Sequence, residues 1–203
     1  TTYLTHSLHP YPAKFPPQLP HSIIKQFAHN KTTILDPFCG SGTTLVEARL
    51  LGHNAIGIDV NGLSTLLSKV KATPLSKTEI IEIQSFLELV KNEDVLWQAK
   101  RPNIMVKKIE GLEHWFQINV AEELTHILNL INKLNNEDVK DFLKIVLSSI
   151  IVRVSNQESD TRFAAKNKNI PNNFTFNLFL SRANEYLIRI TEYSEKVNND
   201  GYL

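Results

Sequence analysis

The chain holds a single cysteine, Cys39, among its 203 residues. One thiol excludes an internal disulfide and cannot build a structural zinc site. An excess of either charge is also missing: 22 Lys and Arg against 21 Asp and Glu leave a net charge of +1. That balance argues neither for nor against nucleic acid, because a basic face can hide within a neutral total. No run of about 18 apolar residues is present, so no membrane span and no membrane partner is expected. The N-terminus lacks a charged-then-apolar leader, and a cytoplasmic protein is the default expectation. What is present, 42% hydrophobic and 21% charged residues, is ordinary for a soluble globular chain. The length allows a real core in one domain, or in one domain and a part.

The organising stretch is residues 32–60, TTILDPFCGSGTTLVEARLLGHNAIGIDV. It reads as a short strand (32–35), a glycine loop (36–42), a helix (43–51) and a second strand (55–58). Gly52 stands where a helix stops in the left-handed conformation. Two acids, Asp36 and Asp59, fall at the strand ends. In open α/β sheets the ligand crevice lies at the carboxyl ends of strands, so both acids aim at one site. Gly40 and Gly42 allow a sharp turn and close approach of the backbone to a ligand. A phosphate-cradling P-loop needs a lysine before its Ser/Thr, and here Gly42 is followed by Thr43 and Thr44. The dinucleotide fingerprint also fails, because Leu45 occupies the place of the third glycine. An acid before the glycines suits an ammonium group, and an acid after the next strand suits a ribose diol. S-adenosylmethionine carries both. A glycine turn in an unrelated α/β protein is the bland alternative.

These residues resemble a known family. DPFCGSGTTLVEA followed by GIDVN is similar to motifs I and II of the amino-methylating DNA methyltransferases, which modify N6 of adenine or N4 of cytosine. HPYPAKFPPQLP, residues 9–20, resembles the motif X that precedes them in one branch. The resemblance covers about the first 73 residues and implies an S-adenosylmethionine site. It assigns Asp36, Pro37, Phe38, Gly40, Ser41, Gly42 and Thr43 to the methionine-side wall. Asp59 and Val60 are implied to hold ribose and adenine, with Lys14 and Phe15 closing over the top.

Five of the nine prolines lie in residues 1–20, which therefore read as a stiff extended arm. A short helix over 22–29 follows, with Ile23, Ile24 and Phe27 on one face. Residues 61–72 carry Leu63, Leu66, Leu67 and Val70 at helical spacing, with Lys69 and Lys71 assigned to the wet face. Ser76 and Glu79 form a capping box for a helix over 76–90. Residues 91–106, with Arg101 and Pro102, read as a long polar connection. Trp115 and Phe116 are expected to anchor the next helical layer as core aromatics. Helices follow over 120–134, 139–154 and 174–197. Between the last two lies a loop, 156–173, containing Asp160, Arg162, Lys166 and Lys168. Its cations are candidates for phosphate contacts with duplex DNA, or simply solvated.

The chemistry of amine methylation is missing. The family binds the target NH2 with [DNS]PP[YFW], using polar acceptors and an aromatic that stacks on the flipped base. The only Pro-Pro is Pro16-Pro17, which belongs to the arm, and Ile170-Pro171-Asn172 lacks the second proline. Cytosine-C5 chemistry needs a Pro-Cys nucleophile, whereas Cys39 follows Phe38 and reads as a small buried filler. No catalytic residue is therefore expected in this chain. In relatives of this motif order the SPPY segment comes after the helical stretch, about where residue 203 falls. The expected fold is α/β: the N-terminal part of a Rossmann-like methyltransferase with a helical extension and an incomplete sheet. Residues 1–75 form its cofactor-binding part, and 76–203 a mainly helical segment. The expected function is cofactor binding for methylation of double-stranded DNA, with a second subunit supplying the missing motif. An RNA methyltransferase and a non-catalytic regulatory subunit are the alternatives.

Overall fold

Two strands make the sheet among the described residues. A computed structural model describes residues 3–99, 104, 106, 109–159 and 161–200. Among these, β1 (Thr33–Asp36) and β2 (Asn54–Gly57) pair in parallel, Thr33 opposite Asn54 and Asp36 opposite Gly57. The right length of chain to connect them is a crossover helix, α2 (Thr43–Leu50). This helix stops in a Schellman turn: Gly52 takes a φ of +78°, His53 N–H donates to the Ala48 carbonyl and Gly52 N–H to that of Arg49. The expected glycine stop is therefore present.

The chain falls into two compact units, Thr1–Ile80 with Tyr186–Leu203, and Ile81–Glu185. In the first, α1 (Gln18–Phe27) and α3 (Gly62–Ala72) accompany α2. Helix α1 starts four residues earlier than the sequence pattern predicts, inside the proline arm. Pro20 is tolerated there because the N–H groups of a first helical turn have no intrahelical acceptor. Within the arm itself, Leu4–Ser7 makes a 3₁₀ turn rather than an extended segment. Asn61 caps α3 by accepting from Leu63 N–H. The end of α8 (Phe174–Asp200) joins this unit, where Tyr193 and Val197 pack with Leu4 and Val46.

Helix α3 meets α2 through small residues. Ser64, Leu67, Ser68 and Lys71 are buried along one face, and Gly42 approaches so closely that a Cβ built on it would lie 2.7 Å from Ser68 Cα. This face is why the assignment of Lys71 to solvent is wrong. Lys71 lies four residues after Leu67 on the same stripe and is fully buried, its Nζ without a hydrogen-bond partner among the described residues.

The second unit is helical. Helix α4 (Lys77–Ala99) begins with the predicted capping box, Ser76 N–H to the Glu79 carboxylate at 2.7 Å and Glu79 N–H to Ser76 Oγ at 3.3 Å. It then runs through residues 91–99, which the sequence suggested were irregular. Buried Trp97 against Phe176, ring centres 5.4 Å apart, and the 3.1 Å contact of Glu93 with His126 hold that turn in helix. Arg101, Pro102 and Asp160 lie outside the described residues. Helices α6 (Ile118–Asn132) and α7 (Glu137–Val154) pack together, α7 buried on nearly every side from Val139 to Val154. Trp115 and Phe116, around the short α5 (Leu112–Trp115), are only half-buried, and Trp115 stacks on exposed Phe163 instead of anchoring the core. The anchoring aromatics are Phe86, Trp97, Phe142, Phe176 and Phe179. Buried Glu123 accepts from Asn173 and Thr175 N–H, placing a negative charge at the start of α8.

Two outcomes follow from the α2–α3 contact. Gly42→Ala adds a Cβ against backbone at a positive φ, so it should lower unfolding free energy by about 2–4 kcal/mol, read from the denaturant midpoint. Burial, with the Lys14 charge adding, pulls Lys71 from 10.5 down to about 7. Between those values the unfolded chain holds a proton that the folded one lacks, so stability rises with pH across that window. Lys71→Met removes the effect. It should be the more stable protein at pH 7, and its advantage should shrink by on the order of 2 kcal/mol by pH 9, measured by thermal unfolding of both proteins.

Candidate cofactor site

The crevice forms at the carboxyl ends of both strands. After β1, Asp36 accepts the Phe38 N–H at 3.1 Å, which turns the chain into the glycine loop. Gly40 and Gly42 both take positive φ, +49° and +80°. Gly42 N–H donates to the Cys39 carbonyl at 2.7 Å and Gly42 C=O starts α2 by accepting from Val46. After β2, Ile58 N–H and C=O continue the ladder to Asp36 and Cys39, which carries Asp59 to the rim of the same loop.

Asp59 is the joint of the site. One carboxylate oxygen accepts Gly40 N–H at 2.9 Å and the other Asn61 N–H at 2.8 Å. A carboxylate offers roughly four acceptor positions, so about two remain for a ligand. Phe38 and Val60 flank it with their side chains fully open to solvent, 88% and 106% exposed. Asp36, Pro37, Phe38, Gly40, Ser41, Gly42, Thr43, Asp59 and Val60 thus share one end of the sheet. Cys39 is buried below, its Sγ 3.6 Å from Ser68 Oγ, and burial raises its thiol. It is the small filler that the sequence implied.

The arm residues divide. Tyr11, which the sequence did not single out, lies over Gly40, its ring 3.6 Å from where a Cβ would stand, and its hydroxyl shares a 2.8 Å hydrogen bond with Ser64. Lys14 turns its ammonium back to the His6 carbonyl at 3.4 Å. Phe15 lines a groove of about 440 Å³ with Leu19, Ile23 and Phe27, against β1 and Thr44. The sequence also gave no weight to Glu47, Tyr3, His6 and His21. The available signal was an acid inside the apolar run Leu45-Val46-Glu47-Ala48, since a buried acid must be paired.

In the second unit, the 156–173 loop doubles back on itself at an antiparallel bridge between Gln157 and Ala165. Arg162 pairs with Glu158 at 3.0 Å, Lys168 donates to the Val152 carbonyl at 2.6 Å, and Lys166 is exposed. No described helix is long and apolar enough to cross a membrane.

Comparison with known proteins points to the same stretch of chain. The DNA methylase family of N6 and N4 methyltransferases matches residues 2–62, which hold the arm, the glycine loop and Asp59. The type II methyltransferase M.MvaI of Kocuria varians is 33% identical over 165 residues, covering 79% of this chain and 36% of that protein. M.BsoBI of Geobacillus stearothermophilus is 28% identical over 155 residues, covering 75% and 30%. M.MjaII of Methanocaldococcus jannaschii is 42% identical over 82 residues, covering 40% and 15%. The chain therefore spans about a third or less of the length of these relatives. No solved structure matches it significantly. With these motifs and these relatives, the chain is related to the amino-methylating DNA methyltransferases of restriction–modification type.

Proposed function

We propose that the chain forms the S-adenosylmethionine-binding part of a Rossmann-like methyltransferase that acts on an exocyclic amine of double-stranded DNA. One observation carries this: the Asp59 carboxylate, pinned by Gly40 and Asn61 N–H, keeps acceptor capacity at the rim of a glycine loop. A ribose diol is the ligand group that such an acceptor suits. Val60 offers apolar surface for adenine, and Asp36 and Phe38 stand in the methionine-side wall. The cofactor supplies an electrophilic methyl group on a sulfonium. The chain's own residues bind and orient it. Tyr11 covers the loop at Gly40, and Lys14 and Phe15 follow it in the arm.

The amine-binding motif [DNS]PP[YFW] is absent from residues 1–203, so the target base is held by sequence outside them, in a second subunit or in a longer protein. The bare face of the sheet supports this. Leu35 and Ile56, opposite each other in the ladder, are 58% and 53% exposed, and the outer edge of β1 is flanked by the apolar groove of Phe15, Leu19, Ile23 and Phe27. Such surface normally lies inside a core. An interface that completes it should be large and apolar, above about 2,000 Å² in total. Phosphate contacts from the 156–173 loop fall first to Lys166, because Arg162 and Lys168 already serve local acceptors.

Calorimetry with S-adenosylhomocysteine tests the cofactor site. Asp59→Ala should weaken binding about tenfold to a hundredfold, the worth of about 1–3 kcal/mol in lost hydrogen bonds. Unchanged affinity in that variant removes Asp59 from the site. Residues 1–203 alone should show no methyl transfer to duplex DNA, and adding a polypeptide with the missing motif should restore it. Robust turnover by the lone 203-residue chain overturns the division.

A further inference from the structure

Glu47 is an acid that a helix should not hold where it does. It sits one turn into α2, directly behind the glycine loop, and is fully buried. Three donors meet its carboxylate. Tyr3 O–H reaches Oε1 at 2.7 Å, His6 Nε2–H reaches the same oxygen at 2.6 Å, and His21 Nδ1–H reaches Oε2 at 2.8 Å. Burial pushes Glu47 up, but the hydrogen bonds from His6, Tyr3 and His21 outweigh it and hold the group below the usual carboxylate range. Burial keeps His6 neutral, so its bond to Glu47 is a neutral imidazole donating to a carboxylate.

The donors come from two places that matter. Tyr3 caps the 3₁₀ turn that contains His6 and precedes the central arm segment, residues 8–17, and His21 belongs to α1, which follows it. Both ends of residues 8–17 are therefore fastened to one carboxylate. The arm between them carries Tyr11 onto Gly40 and bears Lys14 and Phe15. Further ties hold its first half, His9 N–H to Tyr186 hydroxyl at 2.7 Å and Thr5 hydroxyl to the Lys71 carbonyl at 2.9 Å. The exit of the arm has His21.

We propose that Glu47 is the positioning residue of the cofactor site: its carboxylate clamps both ends of the proline arm to the helix behind the glycine loop, and so sets how the arm covers the cofactor. Glu47 itself touches no ligand. The inference rests on the cofactor reading above, and the clamp also has a readout that needs no cofactor. The arm contains a trypsin site, the Lys14–Phe15 bond, whose lysine is held against His6. Glu47→Gln keeps the shape but loses the charge that three donors share. His21→Ala releases only the exit of the arm and leaves Glu47 with two donors.

In cofactor-free protein, both variants should be cut after Lys14 at least about tenfold faster than the parent, at a temperature well below either unfolding midpoint. Cleavage at the parent rate overturns the clamp, whatever the cofactor does. Binding of S-adenosylhomocysteine should weaken about tenfold in Glu47→Gln. That loss should vanish when Tyr11→Ala is already present, and should add in full to the loss from Asp59→Ala. A Glu47→Gln protein that melts earlier but binds with parental affinity has a core network only, and the positioning role falls. If the parent binds no S-adenosylhomocysteine while the proteolysis result holds, the cofactor reading fails and the clamp stands.

Discussion

A buried carboxylate stays charged only if donors surround it, and Glu47 is the place where this constraint shapes the fold. Helix α2 is buried on most sides, at Thr43, Leu45, Val46, Glu47 and Ala48, so its one acid cannot reach water. The donors have to come to it. They arrive from segments 26, 41 and 44 residues away, and in arriving they bring the proline arm back over the loop that starts α2. Removing the acid would leave the buried His6 N–H without an acceptor, at about 1–3 kcal/mol, and free the half-exposed Tyr3 and His21 to turn to water. The arm is too rich in proline to pair with a sheet, so this polar contact does for it what a strand ladder does elsewhere.

The glycine loop depends on a second close approach. Gly42 must lack a side chain because α3 presses Ser68 against it, and Ser64 and Ser68 are small because α2 lies so near. The same packing traps Lys71. A small-residue face gives tight contact between helices but leaves no room for a long side chain to reach solvent. The loop is thus fixed from three sides: by Asp59 through Gly40, by Ser68 at Gly42 and by Tyr11 above. A ligand site built on backbone groups needs such support, because the loop's own hydrogen bonds are few.

The sheet is the opposite case. Two parallel strands satisfy one ladder and leave Leu35, Ile56 and Ile58 in solvent. Parallel strands occur with both faces covered, because crossovers place helices on each side. Here helices cover one face. The helical unit, by contrast, caps its own helices, with Glu123 at the start of α8 and Asn136 at the start of α7.

The strand, glycine loop, helix, glycine stop, strand and acid of residues 32–60 were legible in the sequence alone, to within a residue at the strand ends. Local rules decide them: positive φ falls to glycine, caps to Asn and Ser, and parallel strands to a helical crossover. Periodicity found helices α3, α4, α6, α7 and α8 as well. It could not say where α4 ends, since tertiary contacts such as Trp97 on Phe176, Glu93 on His126 and Asp94 with Asn173 keep residues 91–99 helical. Nor could it tell that Trp115 stacks on Phe163 at the surface. Lys71 and Glu47 show the limit most plainly. A sequence pattern tells which side of a helix is apolar, but whether a charged residue on it is solvated, trapped or paired depends on groups brought from far along the chain, and only tertiary packing brings them.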